Sequence, residues 1–167
     1  MKTRSPMKRV SQDGTLYRLI YCSRNVILQN DPGADLEKEL QAILAVARKR
    51  NKAANVTGAL LFTTSGFAQV LEGPRDVVER AFERIAGDPR HADVMVLNFA
   101  PAEKRSFPDW SMGCSGTLRP GDPLDCLAGD PAAAIPLGGR PRATTGTDVL
   151  RLLERVVRPG DEWLAAS

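Results

Sequence analysis

A tyrosine and a glutamine interrupt two otherwise apolar strand patterns in this 167-residue chain. Alternation along LYRLIYC (16–22) places Tyr21 on a face with other large side chains, and alternation along FAQVLE (67–72) places Gln69 between two large apolar residues. A buried amide without partners costs roughly 1–3 kcal/mol, so the NH₂ and the carbonyl of Gln69 both require partners. A buried Tyr21 hydroxyl has the same requirement. The two side chains therefore either bond each other in the core or face the polar edge of a ligand.

Further polar residues stand near the ends of two predicted helices. Asn51 ends the first helix, Arg84 lies near the end of the second, and Asp88, Arg90 and His91 follow in the next loop. Ordinary structural roles are open to them: a helix-end cap for Asn51, a solvated charge for Arg84 and a surface position for His91. No second His or Cys stands at ligand spacing, so the sequence predicts no metal site.

Hydrophobic periodicity and turn residues predict the elements that would position these side chains. Their order is βαββαβ followed by one more strand, which predicts an α+β, ferredoxin-like sandwich with an added fifth strand. Because both helical crossovers should be right-handed, the two helices should cover the same face of the sheet. The predicted strands are 16–22, 56–63, 67–72, 92–100 and 110–114, and the predicted helices are 35–51 and 76–86.

Composition divides the chain into three parts. Residues 1–14 are polar and basic and are expected to form a mobile N-terminus. Residues 15–114 contain the whole predicted sandwich and form the expected domain. Residues 115–167 form a C-terminal extension whose first part is rich in Pro and Gly.

The extension is predicted to contain little regular structure. A helical turn is expected near 124–127, and a short amphipathic helix at about 147–158, with Thr147 or Asp148 as its cap. A segment of this size does not fold alone, so the helix is expected to pack on the sheet face that the other helices leave open.

Bulk composition restricts the class of protein. The net charge of +3 is spread along the chain and aromatic residues make up 5%, which argues against a nucleic-acid-binding surface. The three cysteines form no CxxC pair, which favours a reducing compartment. The basic start has no apolar run behind it, and no stretch approaches ~18 consecutive apolar residues, so neither a signal peptide nor a membrane span is expected. We therefore expect a cytoplasmic protein.

The motifs on these elements resemble one known family. They are LYRLIYCS, then ILAVARKRN followed by VTGALLF, then GFAQVLEG, RIAGDPRH and FPDWSMG, in this order and each on its predicted element. Together they resemble the BLUF domain, the sensor of blue light using FAD, over about Leu16 to Gly113. The resemblance implies that FAD lies between the two helices and that the chain is a photoreceptor, not an enzyme.

The resemblance also implies roles for residues that would touch the flavin ring. Tyr21 is similar to the tyrosine that donates an electron and a proton to the excited flavin. Gln69 is similar to the glutamine between that tyrosine and the N5/C4-carbonyl edge, and Asn51 to the asparagine that bonds the pyrimidine edge. Ile43 and Ile85 resemble the aliphatic pair that sandwiches the ring.

Two further groups of residues receive roles from the same resemblance. Ribityl and phosphate contacts are implied for Arg84, Asp88, Arg90 and His91. Trp110 and Met112 match the tryptophan and methionine of the last strand, whose environment is thought to change during signalling. The chain departs from the family at Arg50, since many members have two adjacent asparagines where this chain has Arg50 and Asn51.

The resemblance implies a light-driven cycle. Electron and proton transfer from Tyr21 and a rearrangement of Gln69 would strengthen a hydrogen bond to the flavin C4 carbonyl and shift absorption to the red. The last strand and the tail would pass the change to a separate effector protein, because the extension has no room for a catalytic domain. A homodimer or higher homo-oligomer is also expected, with the open sheet face or the tail as the surface of a dimer.

Three other classes of protein compete with this interpretation. A flavin-dependent oxidoreductase would turn over reduced nicotinamide, but no GxGxxG follows a predicted strand. A ferredoxin-like RNA binder would need an aromatic strand that GFAQVLEG does not provide. A cofactor-free interaction module would stay colourless after reconstitution with flavin.

Overall fold

A computed structural model describes residues 14–115 and 145–157 of the chain. Over these ranges the chain forms one five-stranded sheet with helices on both of its faces. Our expectations for 1–13, 124–127 and the residues beyond 157 lie outside the described residues. The strands are β1 (Leu16–Asn25), β2 (Thr57–Phe62), β3 (Gly66–Pro74), β4 (His91–Pro101) and β5 (Gly113–Ser115), and the helices are α1 (Ile27–Asn30), α2 (Leu36–Ala53), α3 (Arg75–Ala86) and α4 (Gly146–Val156).

The sheet has the strand order β4-β1-β3-β2-β5. Each neighbouring pair is antiparallel except β2 and β5, which are parallel. This is the ferredoxin-like order with one strand added next to β2, as the sequence predicts. The β1–β3 pairing, which is central to the sheet, places Tyr21 directly opposite Gln69.

Helices α2 and α3 cover one face of the sheet, here called the inner face. The α2 helix begins where its periodicity predicts, because the Asp35 side chain accepts hydrogen bonds from the backbone N–H groups of Glu37 and Lys38. Leu40 and Leu44 of α2 are buried against the sheet. Both crossovers therefore lie on the same face, as the sequence predicts.

Helix α4 covers the opposite, outer face. Its residues Val149, Leu152 and Leu153 are buried against outward-facing strand residues such as Ile20 and Val70. The helix lies across the sheet, because its first residue approaches β4 and the residue after its end approaches β5. A second copy of the chain therefore cannot use the centre of this face while α4 is in place.

The cap of α4 differs from our prediction. The helix begins at Gly146, and Thr145 is the N-cap instead of Thr147 or Asp148. The Thr145 hydroxyl accepts from the N–H of Asp148 at 3.2 Å, and the Asp148 carboxylate accepts from the N–H of Thr145 at 3.0 Å. This reciprocal pair is a capping box, which satisfies two N–H groups at once and fixes the start of the helix.

The last strand is shorter than predicted and starts later. We predicted 110–114, whereas β5 comprises Gly113–Ser115, so Trp110 and Met112 lie in the segment before the strand. The Trp110 carbonyl accepts from Gly58 N at 3.0 Å, but the next two carbonyls accept from side chains of α2. Because these carbonyls are taken by side chains, the regular ladder with β2 begins only at Gly113.

Candidate functional site

An open cleft separates α2 from α3 above the inner face of the sheet. Its empty volume, which includes space open to solvent, is about 660 Å³. Ile43 of α2 and Ile85 of α3 contribute to its walls, and strand residues contribute to its floor. All nine residues that the sequence analysis assigned to cofactor contact line it: Tyr21, Ile43, Asn51, Gln69, Arg84, Ile85, Asp88, Arg90 and His91.

The floor of the cleft contains a continuous chain of hydrogen bonds. The Tyr21 hydroxyl donates to Oε1 of Gln69 at 2.5 Å, and Nε2 of Gln69 donates to the sulfur of Met112 at 3.3 Å. All three residues are at most 5% exposed. Burial, with smaller contributions from Cys22 and Asp88, raises the pKa of Tyr21 far above its usual value, so the phenol keeps its proton at neutral pH.

The two predicted signalling residues occupy different environments. Met112 is buried in the core beneath the helices, beside Gln69. Trp110 is half-buried on the outer face, where its ring stacks on Phe107 with centroids 6.0 Å apart and 24° between the planes. In this structure, therefore, Met112 contacts the amide of the cleft and Trp110 contacts the layer that contains α4.

Asn51 connects the cleft to the segment before β5. It lines the cleft and is 5% exposed. One N–H of its amide is taken, because Nδ2 donates to the Ser111 carbonyl at 2.8 Å. The amide has a second N–H and an oxygen, which can serve a ligand with both a donor and an acceptor on one edge.

Asp88 and Arg90 form a fixed ion pair at the cleft. The Asp88 oxygens accept from Nε and Nη2 of Arg90 at 2.9 and 2.6 Å, and Arg90 also reaches Glu39 at 3.4 Å. Burial on its own would raise the pKa of Asp88, but the bonds and charge of Arg90 outweigh it and lower that pKa. Much of the charge of Arg90 is therefore neutralised within the protein.

Arg84 and Arg50 line the same cleft without such partners. Both side chains are exposed, and neither guanidinium has a hydrogen bond or an ion pair with another residue in the ranges 14–115 and 145–157. Arg50, where the chain departs from the family pattern, is therefore at the cleft and available to a ligand. Two unpaired guanidinium groups suit an anionic group such as a phosphate.

His91 is held in one orientation by two neighbours. Its Nδ1 lies 2.7 Å from the Ser23 hydroxyl, and its ring lies against Phe67 with centroids 4.0 Å apart. Burial, opposed by Asp88 and assisted by Arg90, lowers the pKa of His91 to about 4. The imidazole is therefore neutral at pH 7, and its Nε2, which has no hydrogen-bond partner among the described residues, can face a ligand.

The sequence analysis missed two residues of this region, Ser23 and Arg48. Ser23 follows Tyr21 by two positions, so strand alternation already places both side chains on the inner face. Arg48 precedes Asn51 by three positions, which places them on the same side of a helix. Its Nε donates to the Met112 carbonyl at 3.1 Å. Both residues could have been found by listing the other side chains on the strand face of Tyr21 and on the helix side of Asn51.

The cleft fits an isoalloxazine ring. It offers aliphatic walls, buried amides at Asn51 and Gln69 and unpaired cations at its mouth, which match a flat apolar ring with a polar edge and a phosphorylated side chain.

Within the described ranges, no group of three metal-ligating side chains is present and no helix is long and apolar enough to cross a membrane.

Comparison with known proteins identifies the family. The family described as BLUF, sensors of blue-light using FAD, matches residues 16–113. The fold and the cleft are those expected of a small flavin-based light sensor. The chain belongs to the BLUF family.

Curated relatives support the same assignment over the sensor region only. The chain is 35% identical over 112 residues to the photoactivated adenylate cyclase subunit beta of Euglena longa. The aligned residues make up 66% of this chain and 12% of that protein. It is 37% identical over 91 residues to the blue light- and temperature-regulated antirepressor BluF of Escherichia coli (strain K12), which covers 53% of this chain and 21% of that protein. The chain thus spans a small part of these relatives.

Two solved structures have a similar fold. The dark-state structure of BlrB, a BLUF protein, is similar with a TM-score of 0.57 and 34% identity, over 62% of this chain and 74% of that one. The ground state of BlsA gives a TM-score of 0.58 and 33% identity, over 67% of this chain and 71% of that one. At 34% and 33% identity, these similarities extend beyond the fold to the sequence.

Proposed function

We propose that this protein is a blue-light photoreceptor that binds FAD in the cleft between α2 and α3 and signals to a separate effector protein. The observation that carries the proposal is the hydrogen-bonded chain from the Tyr21 hydroxyl through the Gln69 amide to the Met112 sulfur. It connects a redox-active side chain of the cleft to the segment that precedes β5. When bound, an oxidised flavin supplies blue-light absorption and, once excited, a strong oxidising power.

Tyr21 is the proposed electron and proton donor. Its phenol is buried and neutral, and its proton already points to Oε1 of Gln69. That bond offers the proton a path as the electron leaves. Return of the electron and the proton restores the phenol, so the reaction leaves no net product.

Gln69 is the proposed two-state element. Its amide can return in another tautomer or rotamer, which exchanges the positions of donor and acceptor. In the new arrangement Gln69 would donate a stronger hydrogen bond to the C4 carbonyl of a bound flavin, and absorption would shift to the red. In a site of low dielectric such an exchange has larger consequences than in water.

FAD is the proposed form of the cofactor. Asn51 would bond the pyrimidine edge, Ile43 and Ile85 would hold the ring, and Asp88, Arg90 and His91 would contact the ribityl chain. Arg84 carries an unpaired charge at the cleft, which supports a phosphate contact. We expect Arg84→Ala to weaken binding of FAD and FMN more than binding of riboflavin, which has no phosphate, in a fluorescence titration.

The output is proposed to leave through the segment before β5 and through α4. Trp110 belongs to that segment and packs on the outer face, and a Cβ added at Gly113 would come within 2.7 Å of both Trp110 and Val157. A shift of the segment would therefore be transmitted to the end of α4. A homodimer would form through the exposed side of α4, because the sheet behind it is covered.

An absorption experiment tests the proposal. The full chain, reconstituted with FAD in the dark, should show an oxidised-flavin spectrum that shifts to the red after blue light and returns in the dark. A colourless protein would favour a cofactor-free interaction module. Steady oxidation of reduced nicotinamide, without a reversible shift, would favour an oxidoreductase. Either of these results would overturn the proposal.

A further inference from the structure

Three consecutive carbonyl groups before β5 are held by three donors. The Trp110 carbonyl accepts from the backbone N–H of Gly58 at 3.0 Å, and the Ser111 carbonyl accepts from Nδ2 of Asn51 at 2.8 Å. The Met112 carbonyl accepts from Nε of Arg48 at 3.1 Å. The path of this segment is therefore fixed by side chains of α2 as much as by the sheet.

Arg48 and Asn51 hold the segment in different ways. Asn51 lines the cleft, so any change at this residue also changes the cofactor site. Arg48 does not line the cleft, and its bond to the Met112 carbonyl is charge-assisted, which makes it stronger than a neutral one. The guanidinium also acts on Cys114, two residues further along, where it opposes the rise in pKa that burial causes. Arg48 thus acts on the segment and on β5 without lining the cleft.

Met112 is held from both sides. Its sulfur accepts from Nε2 of Gln69, and its carbonyl accepts from Arg48. If the Gln69 amide rearranges, the sulfur loses this donor, and a shift of the main chain at Met112 would also break the bond from Arg48 to the carbonyl. The strength of the Arg48 bond then decides how readily the main chain at Met112 moves and how readily it returns.

We propose that Arg48 is a positioning residue of the light response, which holds the Met112 carbonyl in the dark arrangement and guides its return after illumination. This inference rests on the proposed photoreceptor function. It makes recovery in the dark depend on a residue outside the cofactor site. Loss of the Arg48 bond should slow recovery without weakening flavin binding, because the dark arrangement loses a contact that the return must remake.

Kinetic measurements on three variants test the inference. Arg48→Ala removes the donor, Arg48→Lys keeps the charge but loses the guanidinium geometry, and Lys49→Ala is a matched control. Lys49 is exposed on the same helix and, within the described ranges, its side chain has no hydrogen bond or ion pair. We expect FAD affinity and the size of the red shift to match the wild type in all three. Recovery in the dark should slow by about tenfold in Arg48→Ala, which corresponds to ~1.4 kcal/mol. It should slow by less in Arg48→Lys and should be unchanged in Lys49→Ala.

Infrared spectroscopy supplies a readout that a merely structural role would not move. Incorporation of methionine with a ¹³C-labelled carbonyl marks the four methionines of the chain. The light-minus-dark difference spectrum then shows bands only for those methionine carbonyls whose vibration changes with light. Met112→Leu identifies the band of residue 112, because that position then carries no label. We expect this band in the wild type, and at higher frequency in Arg48→Ala, since a carbonyl that loses a hydrogen bond has a stiffer C=O bond.

The outcomes separate this inference from the proposed function. If the wild type shows no reversible red shift, the photoreceptor proposal fails and the inference fails with it. If the wild type responds normally, but Arg48→Ala recovers at the wild-type rate or faster, the positioning role alone is overturned. An unchanged Met112 band in Arg48→Ala would also overturn it.

Discussion

The hydroxyl of Tyr21 donates to the side-chain carbonyl of Gln69, and the two residues are direct partners in the antiparallel β1–β3 ladder. In this structure the phenol donates to Oε1, which leaves the NH₂ group of Gln69 to donate to another acceptor. The NH₂ group then reaches the sulfur of Met112. One pair of opposite residues thereby determines the donor pattern of the cleft floor.

The first prediction concerns the donor role of Tyr21. Tyr21→Phe should bind FAD but show no light-induced red shift, because the ring fills the same space while the hydroxyl is absent. Tyr17→Phe is the matched control, since Tyr17 does not line the cleft and instead packs on Phe99 with centroids 5.5 Å apart. Absorption spectra before and after blue light measure the effect. A normal red shift in Tyr21→Phe would exclude the donor role.

The second prediction concerns the amide as the switch. Gln69→Leu should bind flavin but lack a reversible photocycle of the normal kind, because leucine has no donor or acceptor to exchange. Gln41→Leu removes an exposed amide of α2 that does not line the cleft, and its photocycle should match the wild type. Repeated light–dark cycles followed by absorption measure both. A full reversible shift in Gln69→Leu would rule out the assignment of the switch.

The sequence predicted the centre of the site because its signals are local. Alternation alone places Tyr21 and Gln69 on defined faces, and the order βαββαβ with right-handed crossovers makes their strands neighbours. The register that sets them opposite each other does not follow from either signal. It depends on the pairing of Leu16 with Pro74 through Arg24 with Gly66 along the whole β1–β3 ladder.

The sequence failed where side chains determine the path of the backbone. Trp110 and Met112 lie in a stretch that reads as a strand, but Arg48 and Asn51 bond its carbonyls and delay the start of β5. Such bonds join residues some 60 positions apart, with separations of 64 and 60. Short-range patterns therefore cannot show them.

The third prediction concerns the pH dependence of stability. The pKa of His91 is about 4 in the folded protein and about 6.5 when exposed. Between these values the unfolded chain binds a proton at His91 that the folded chain does not bind, so stability falls as pH falls through this window. The loss attributable to His91 is about 2–3 kcal/mol between pH 7 and pH 4.5 and is complete below about pH 4.

Urea unfolding at the two pH values measures this loss. His91→Gln has no group that titrates in the window, so its free energy of unfolding should fall by about 2–3 kcal/mol less than that of the wild type. Carboxylates that do not contact His91 are the same in both proteins and cancel in the comparison. Equal falls in both proteins would contradict a buried, neutral His91.

The fourth prediction concerns Glu72, a carboxylate that is 0% exposed on the outer face. It accepts from Nε of Arg18 at 2.7 Å and from the backbone N–H groups of Ser106 and Phe107 at 2.9 and 3.1 Å. It therefore holds β3, β1 and the chain that leads to Trp110 together. Glu72→Gln should lower the free energy of unfolding by about 3 kcal/mol, because Arg18 loses its charge partner and two N–H groups face an amide that accepts less well.

Glu79→Gln is the matched control for this prediction. Glu79 pairs with Arg75 on the surface of α3 at 3.0 Å, and its side chain is 42% exposed. An exposed pair of this kind contributes little stability, because water screens it and holding two long side chains costs entropy. Urea unfolding of both variants at pH 7 compares the two carboxylates directly. Losses of similar size would mean that burial and the backbone contacts of Glu72 add no stability beyond an ordinary surface pair.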